Sequence, residues 1–154
     1  MKSQLQQAVW AEFTQGQLKS LEGQQPLQMQ HSDGTALPLV VDDAKEARFG
    51  ADVVRFPPGK GVGLHTHVGA HILMVTKGTG ILTYGNQKHG MFPGMIYLVP
   101  SNVPHAIDAL TELVLVAVGN DHRPADSPER LDIVQKKRRK KRERKPARSH
   151  RART

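Results

Sequence analysis

Four of the eight histidines in this 154-residue chain have a spacing that concentrates chemistry. His65 and His67 are two apart, so on a β-strand both side chains leave the same face. His71 follows four residues later, past Gly69, at the head of the strand-favouring run HILMV. His105 closes a second segment punctuated by glycine and proline, GMIYLVPSNVPH. If that segment folds back beside the first, four imidazoles converge, and converging neutral imidazoles form a transition-metal site. Cysteine is absent, so the donors are nitrogen and oxygen, and disulfides are excluded.

The same stretch is short of acids: no Asp or Glu lies between Asp52 and Asp108. A cation held there has no carboxylate from this stretch beside it, so the site should favour an anionic ligand such as an enolate, a carboxylate or reduced oxygen. Nor is there a local carboxylate base. Proton transfer falls to metal-bound hydroxide, to Tyr84 or Tyr97, or to a residue of the N-terminal segment. A histidine alone in a strand is ordinarily a hydrogen-bonded polar residue. His31 and His89 adjoin turns while His122 and His150 lie beyond the strand-rich region, and all four read as solvated.

These residues need strands to position them. Short apolar runs alternate with turn signals from Leu27 onward: LQMQ, LPLVV, ADVVRF, ILTY, KHGMF, MIYLV, HAID and ELVLVAV. Gly85-Asn86 joins two of them as a hairpin. ELVLVAV is continuously apolar and therefore reads as a central last strand, buried on both faces. Eight or nine short strands at regular spacing predict an all-β barrel or jelly roll. Strand parity sends Gly63 inward with His65 and His67, leaving room beside the metal; it groups His71 with Leu73 and Val75, pairs His105 with Ile107, and turns Asp108 away. Arg55 and Val53 share one strand face and Val54 and Phe56 the other, without saying which is inside.

The two histidine segments resemble the paired motifs of the cupin superfamily. The first motif reads Gly, five residues, His-x-His, three or four residues, Glu, six residues, Gly. Gly59, His65, His67 and Gly78 fall on it, with His71 at the glutamate position. The second reads Gly, five residues, Pro-x-Gly, two residues, His, three residues, Asn. Gly94, Pro100 and His105 match it, with Asn102 for the second glycine and Ala109 for the asparagine. The resemblance covers roughly residues 50 to 118. It implies a cupin-type double-stranded β-helix with one divalent transition metal on His65, His67, His71 and His105. Iron, manganese or nickel is favoured over zinc or copper, because four protein donors saturate tetrahedral zinc while catalysis needs open positions. The resemblance also implies a mononuclear enzyme acting on a small anionic or enolisable metabolite, with dioxygenase-like oxidation ahead of isomerase or lyase chemistry. The competing class is a non-catalytic, metal-supported binding or sensor module, since one fold hosts many functions.

Charge divides the chain. From Lys136 to the end there are 12 Lys/Arg against one acid, a local charge of +11, whereas the remaining 135 residues carry −3. Lys136, Lys137, Arg138, Arg139, Lys140, Lys141 and Arg142 form a basic tract suited to salt-sensitive, sequence-blind contact with nucleic acid, or to nuclear import in a eukaryote. No aromatic residue interleaves with it, so base stacking is not expected. Ser127-Pro128, with Leu131 and Val134 three apart, predicts a helix running into the tract. Leu5, Val9 and Phe13 predict a short amphipathic helix over residues 3 to 13, packing on the barrel or on the partner in a homodimer through Trp10 and Phe13. The division is thus residues 1–26 as N-terminal segment, 27–120 as barrel and 121–154 as linker and basic tail. No run is apolar enough for a signal peptide or a membrane span, so a cytoplasmic protein without membrane contact is expected.

Overall fold

The computed structural model describes residues 11–14, 17–20, 25–41 and 49–134. Among them there are thirteen strands and no helix. In chain order the strands are β1 Ala11–Thr14, β2 Gln17–Ser20, β3 Leu27–Gln28, β4 Thr35–Val41, β5 Gly50–Phe56, β6 Gly61–Thr66 and β7 His71–Lys77. They continue with β8 Gly80–Tyr84, β9 Gln87–Met91, β10 Ile96–Val99, β11 His105–Ala109, β12 Leu113–Gly119 and β13 Asp132–Ile133. A six-stranded sheet has the order β10-β7-β12-β5-β4-β3 and a five-stranded sheet the order β13-β6-β11-β8-β9, with every pair antiparallel.

Inward-facing residues of the two sheets make one core. Val54, Phe56, Leu73, Leu113 and Leu115 from the larger sheet cluster with Val62, Leu82, Met91 and Ile107 from the smaller. The register that sequence left open is therefore settled: Val54 and Phe56 face in. Arg55 faces out, where Glu112 accepts hydrogen bonds from Arg55 Nε at 2.9 Å and from Lys77 Nζ at 2.7 Å. Those two cations hold the Glu112 carboxyl below its usual range. β12 sits between β7 and β5 and is largely buried, as its apolar run requires. Gly85 adopts φ 58° at the turn that pairs Tyr84 with Gln87, and the predicted hairpin forms there.

Four expectations are corrected. The parity that sent Gly63 inward fails because β6 bulges: His105 lies opposite His65 while Ile107 lies opposite Val62, so the extra residue turns Val62 and His65 both inward and Gly63 out. The helix expected from Pro128 is replaced by β13, which pairs Asp132 with Thr66 and Ile133 with His65, so ELVLVAV is not the last strand. β6 would otherwise be a sheet edge with unpaired backbone groups, and pairing there outweighs the local helix signal. At the other end, Ala11–Thr14 pairs with Gln17–Ser20 as a hairpin, so the described part of the expected N-terminal helix is strand. Trp10 and Lys136 to Arg142 lie outside the described residues.

Candidate metal centre

The histidines gather where strands begin and end. His65 is near the end of β6, His67 just past it, His71 opens β7 and His105 opens β11 directly opposite His65. The loops behind them are tied together, for His67 O accepts from Asn102 N at 2.8 Å and Val68 O accepts from Ser101 Oγ. Asn102 sits at φ 59°, a left-handed conformation that asparagine tolerates. Its replacement of the motif glycine therefore keeps the turn.

Three of the rings are locked by backbone carbonyls. His65 Nδ1 donates to Gly63 O at 2.8 Å, His67 Nδ1 to Gly69 O at 2.5 Å and His105 Nδ1 to Val103 O at 2.8 Å. A carbonyl only accepts, so each Nδ1 carries the proton and each Nε2 keeps its lone pair. His65, His67 and His105 present ligand atoms within 4.8 Å of one another, and all three residues are buried. Ring centroids are 4.1 Å apart for His65 and His105 and 4.8 Å for His67 and His105. His71 stacks on His67 at 4.1 Å but stands outside this trio of converging nitrogens. Its Nε2 is buried with no hydrogen-bond partner.

Burial drives these imidazoles to the neutral form that binds metals. It holds His65 down to about 4, His105 to about 3 and His71 to about 2, with neighbouring imidazoles pushing the same way, and it lowers His67 as well. Three oriented, neutral, buried donors whose ligand atoms converge fit a transition-metal ion.

A second polar cluster adjoins the first, and sequence reading missed it. His122, read as solvated, is buried, and its Nε2 is 2.7 Å from Asp52 Oδ2. Arg130 is also buried; it donates to the same Asp52 oxygen, and through NH1 to Arg123 O at 2.7 Å. Burial alone would raise the Asp52 carboxyl, but the His122 hydrogen bond and the Arg130 charge outweigh it and hold it below the usual range. The available signal was the position of Asp52: it shares the inward face with Val54 and Phe56, and an acid on a core face requires partners. His31, His89 and Asp108 are exposed, as expected, whereas His150 is outside the described residues.

The four histidines, Arg130 and aliphatic side chains with Phe56 line one cavity, which leaves ≈ 40 Å³ for the centres of water-sized molecules. Tyr84 and Tyr97 are not brought to it: both pack against the core, and Tyr97 OH donates to Gly90 O. Burial raises the Tyr97 phenol, which leaves less of it as the phenolate that could take a proton.

Two glycines make room for two of the rings. Gly119 lies opposite His71 and also opposite Gly50. A Cβ on Gly119 would collide with His71 Cδ2 and the Ala70 carbonyl, and one on Gly50 would lie 2.7 Å from His122 Cδ2. Gly119→Ala is expected to lower stability by about 1–3 kcal/mol through this overpacking, measured by urea melts.

Comparison with known proteins places the barrel. Residues 52–119 match the family model for the cupin domain, and the barrel has the cupin fold. Among solved structures, a predicted oxalate decarboxylase from Thermotoga maritima is 23% identical with a TM-score of 0.55, covering 62% of this chain and 90% of its own. A cupin-like protein from the same organism is 28% identical with a TM-score of 0.51, covering 55% and 66%. Salicylate 1,2-dioxygenase from Pseudoaminobacter salicylatoxidans, solved with gentisate, is 18% identical with a TM-score of 0.53, covering 61% and only 26% of its own length. No curated protein sequence is significantly similar to the chain. The first and third of these likenesses speak to fold alone. Among the described residues no helix is long and apolar enough to cross a membrane.

Proposed function

We propose that the barrel holds one divalent transition metal on His65, His67 and His105, with His71 as fourth donor, and acts on a small anionic metabolite by dioxygenase-like oxidation. The observation that carries this reading is the charge balance of the cavity. Its lining includes four imidazoles and a guanidinium, and no carboxylate. The nearby acid, Asp52, is already shared between Arg130 and His122. A cation there gains a counter-charge from an incoming anion.

The bound metal would supply Lewis acidity and, if it is iron, manganese or nickel, open positions for substrate and oxygen. The chain's own contribution is to hold three Nε2 lone pairs inward, to place Arg130 beside them and to exclude bulk water with aliphatic walls. The cavity leaves ≈ 40 Å³ for the centres of water-sized molecules, space beside the rings for a small ligand. A carboxylate is the class of anion we favour here.

Chain purified without chelator should carry close to one transition-metal ion. Oxalate, salicylate and gentisate should raise the melting temperature of the loaded protein where their neutral amides do not, and at least one small acid should drive oxygen uptake. Absence of metal from both aerobic and anaerobic preparations would overturn the reading. Metal and anion binding without turnover would instead identify a ligand-sensing module.

A further inference from the structure

Three of the pocket histidines take their orientation from a carbonyl two residues away, but His71 has no such partner. Among the described residues, two buried side-chain nitrogens lack a hydrogen bond: His71 Nε2 and His122 Nδ1. Unpaired buried polar atoms are costly, and here the two belong to neighbouring rings. The ring centroids are 5.0 Å apart with planes inclined by 54°. An N–H···N bond of about 3 Å between two imidazoles puts their centroids about 5 Å apart, so the separation suits a bond once the rings turn their nitrogens toward each other. The edge of His71 that carries Nε2 lies over Gly119, and His122 lies over Gly50, the residue paired with Gly119 across the strands. Neither glycine places a Cβ against these rings.

We propose that Asp52 and His122 are positioning residues for His71, acting through a relay of hydrogen bonds. The Asp52 carboxylate only accepts, so His122 Nε2 carries the proton. With that proton on Nε2, the ring's lone pair sits on Nδ1, the atom that has no partner. That lone pair accepts from His71 Nε2–H, and His71 keeps its own lone pair on Nδ1. His71 is thereby set in the opposite tautomer to His65, His67 and His105. The relay stands on hydrogen bonding alone, whereas donation by His71 to a metal rests on the function proposed above.

Two-bond proton–nitrogen correlation spectra of the full chain, labelled with ¹⁵N-histidine and stripped of metal, test the relay directly. His71 and His122 should appear as Nε2–H tautomers and the other three pocket histidines as Nδ1–H. The variants separate positioning from packing. In His122→Asn an amide oxygen replaces Nδ1 as acceptor, so His71 should stay Nε2–H. In His122→Gln the amide keeps the bond to Asp52 but offers His71 nothing, so its tautomer should become mixed. Cobalt affinity, followed by visible absorbance, should then fall about 10–100-fold in the glutamine variant and little in the asparagine variant. An Nδ1–H tautomer at His71 in the parent chain, or a glutamine variant with unchanged spectra, overturns the relay. Spectra as expected with unchanged cobalt affinity would instead remove His71 from the metal site and leave the relay standing.

Discussion

His67→Ala is expected to take the chain from close to one bound transition-metal ion to almost none. His67 contributes one of three lone pairs that the backbone has already aimed, since Gly69 O holds its Nδ1 at 2.5 Å. Altering a residue that merely orients a ligand costs about 10–100-fold in metal affinity, so deleting a donor should cost more than a hundredfold. The fold should survive, because His67 lies past the end of β6 and alanine there removes a ring rather than a strand contact. Elemental analysis after dialysis, with melting curves of both metal-free proteins, checks both statements. His89→Ala is the control: His89 is exposed on β9 and should leave the stoichiometry unchanged. Equal metal content in His67→Ala and the parent would place the ion elsewhere.

The metal-free barrel should lose stability steeply on mild acidification. His65, His71 and His105 titrate in the folded chain near 4, 2 and 3, against an ordinary 6.5 once unfolded. Between those limits the unfolded state binds more protons, so unfolding free energy rises with pH and falls as pH drops below 6.5. Each such histidine contributes up to about 1.4 kcal/mol per pH unit. Three together should remove roughly 3 kcal/mol between pH 6.5 and 5.5, a large part of the 5–15 kcal/mol typical of a domain. Asp52, with its carboxyl held low, adds a further loss at lower pH, again on the acid side. Urea melts of chelator-treated protein at about pH 7.5 and pH 5.5 measure the difference. Identical midpoints would mean that the pocket histidines are solvated. Loaded with metal, the protein should resist longer, because protons must then displace the ion.

The parts of this site that local rules govern were legible before the structure. Parity along β7 put His71, Leu73 and Val75 on one face, parity along β11 paired His105 with Ile107, and all five are buried. Gly85-Asn86 named its hairpin. Parity failed at Gly63, because a bulge shifts the count by one and nothing in GVGLHTH marks where it falls. Asp52, His122 and Arg130 were invisible for a different reason: their hydrogen bonds join residues 70 and 78 positions apart. The spacing of Leu131 and Val134 suited a helix, yet only Leu131 is buried, and the open edge of β6 decided the outcome.

β13 also redraws where the barrel physically stops. The cupin match ends at residue 119, but Ala125, Arg130 and Leu131 are buried beyond it, and Val134 N still donates to Leu64 O at 2.9 Å. A minimal version trimmed to the family boundary would strip both partners from Asp52 and leave a buried carboxylate facing the core. The last fifteen residues before Gln135 are therefore the clasp that closes the barrel beside His65. In the sequence, only Gln135 separates that clasp from the basic tract.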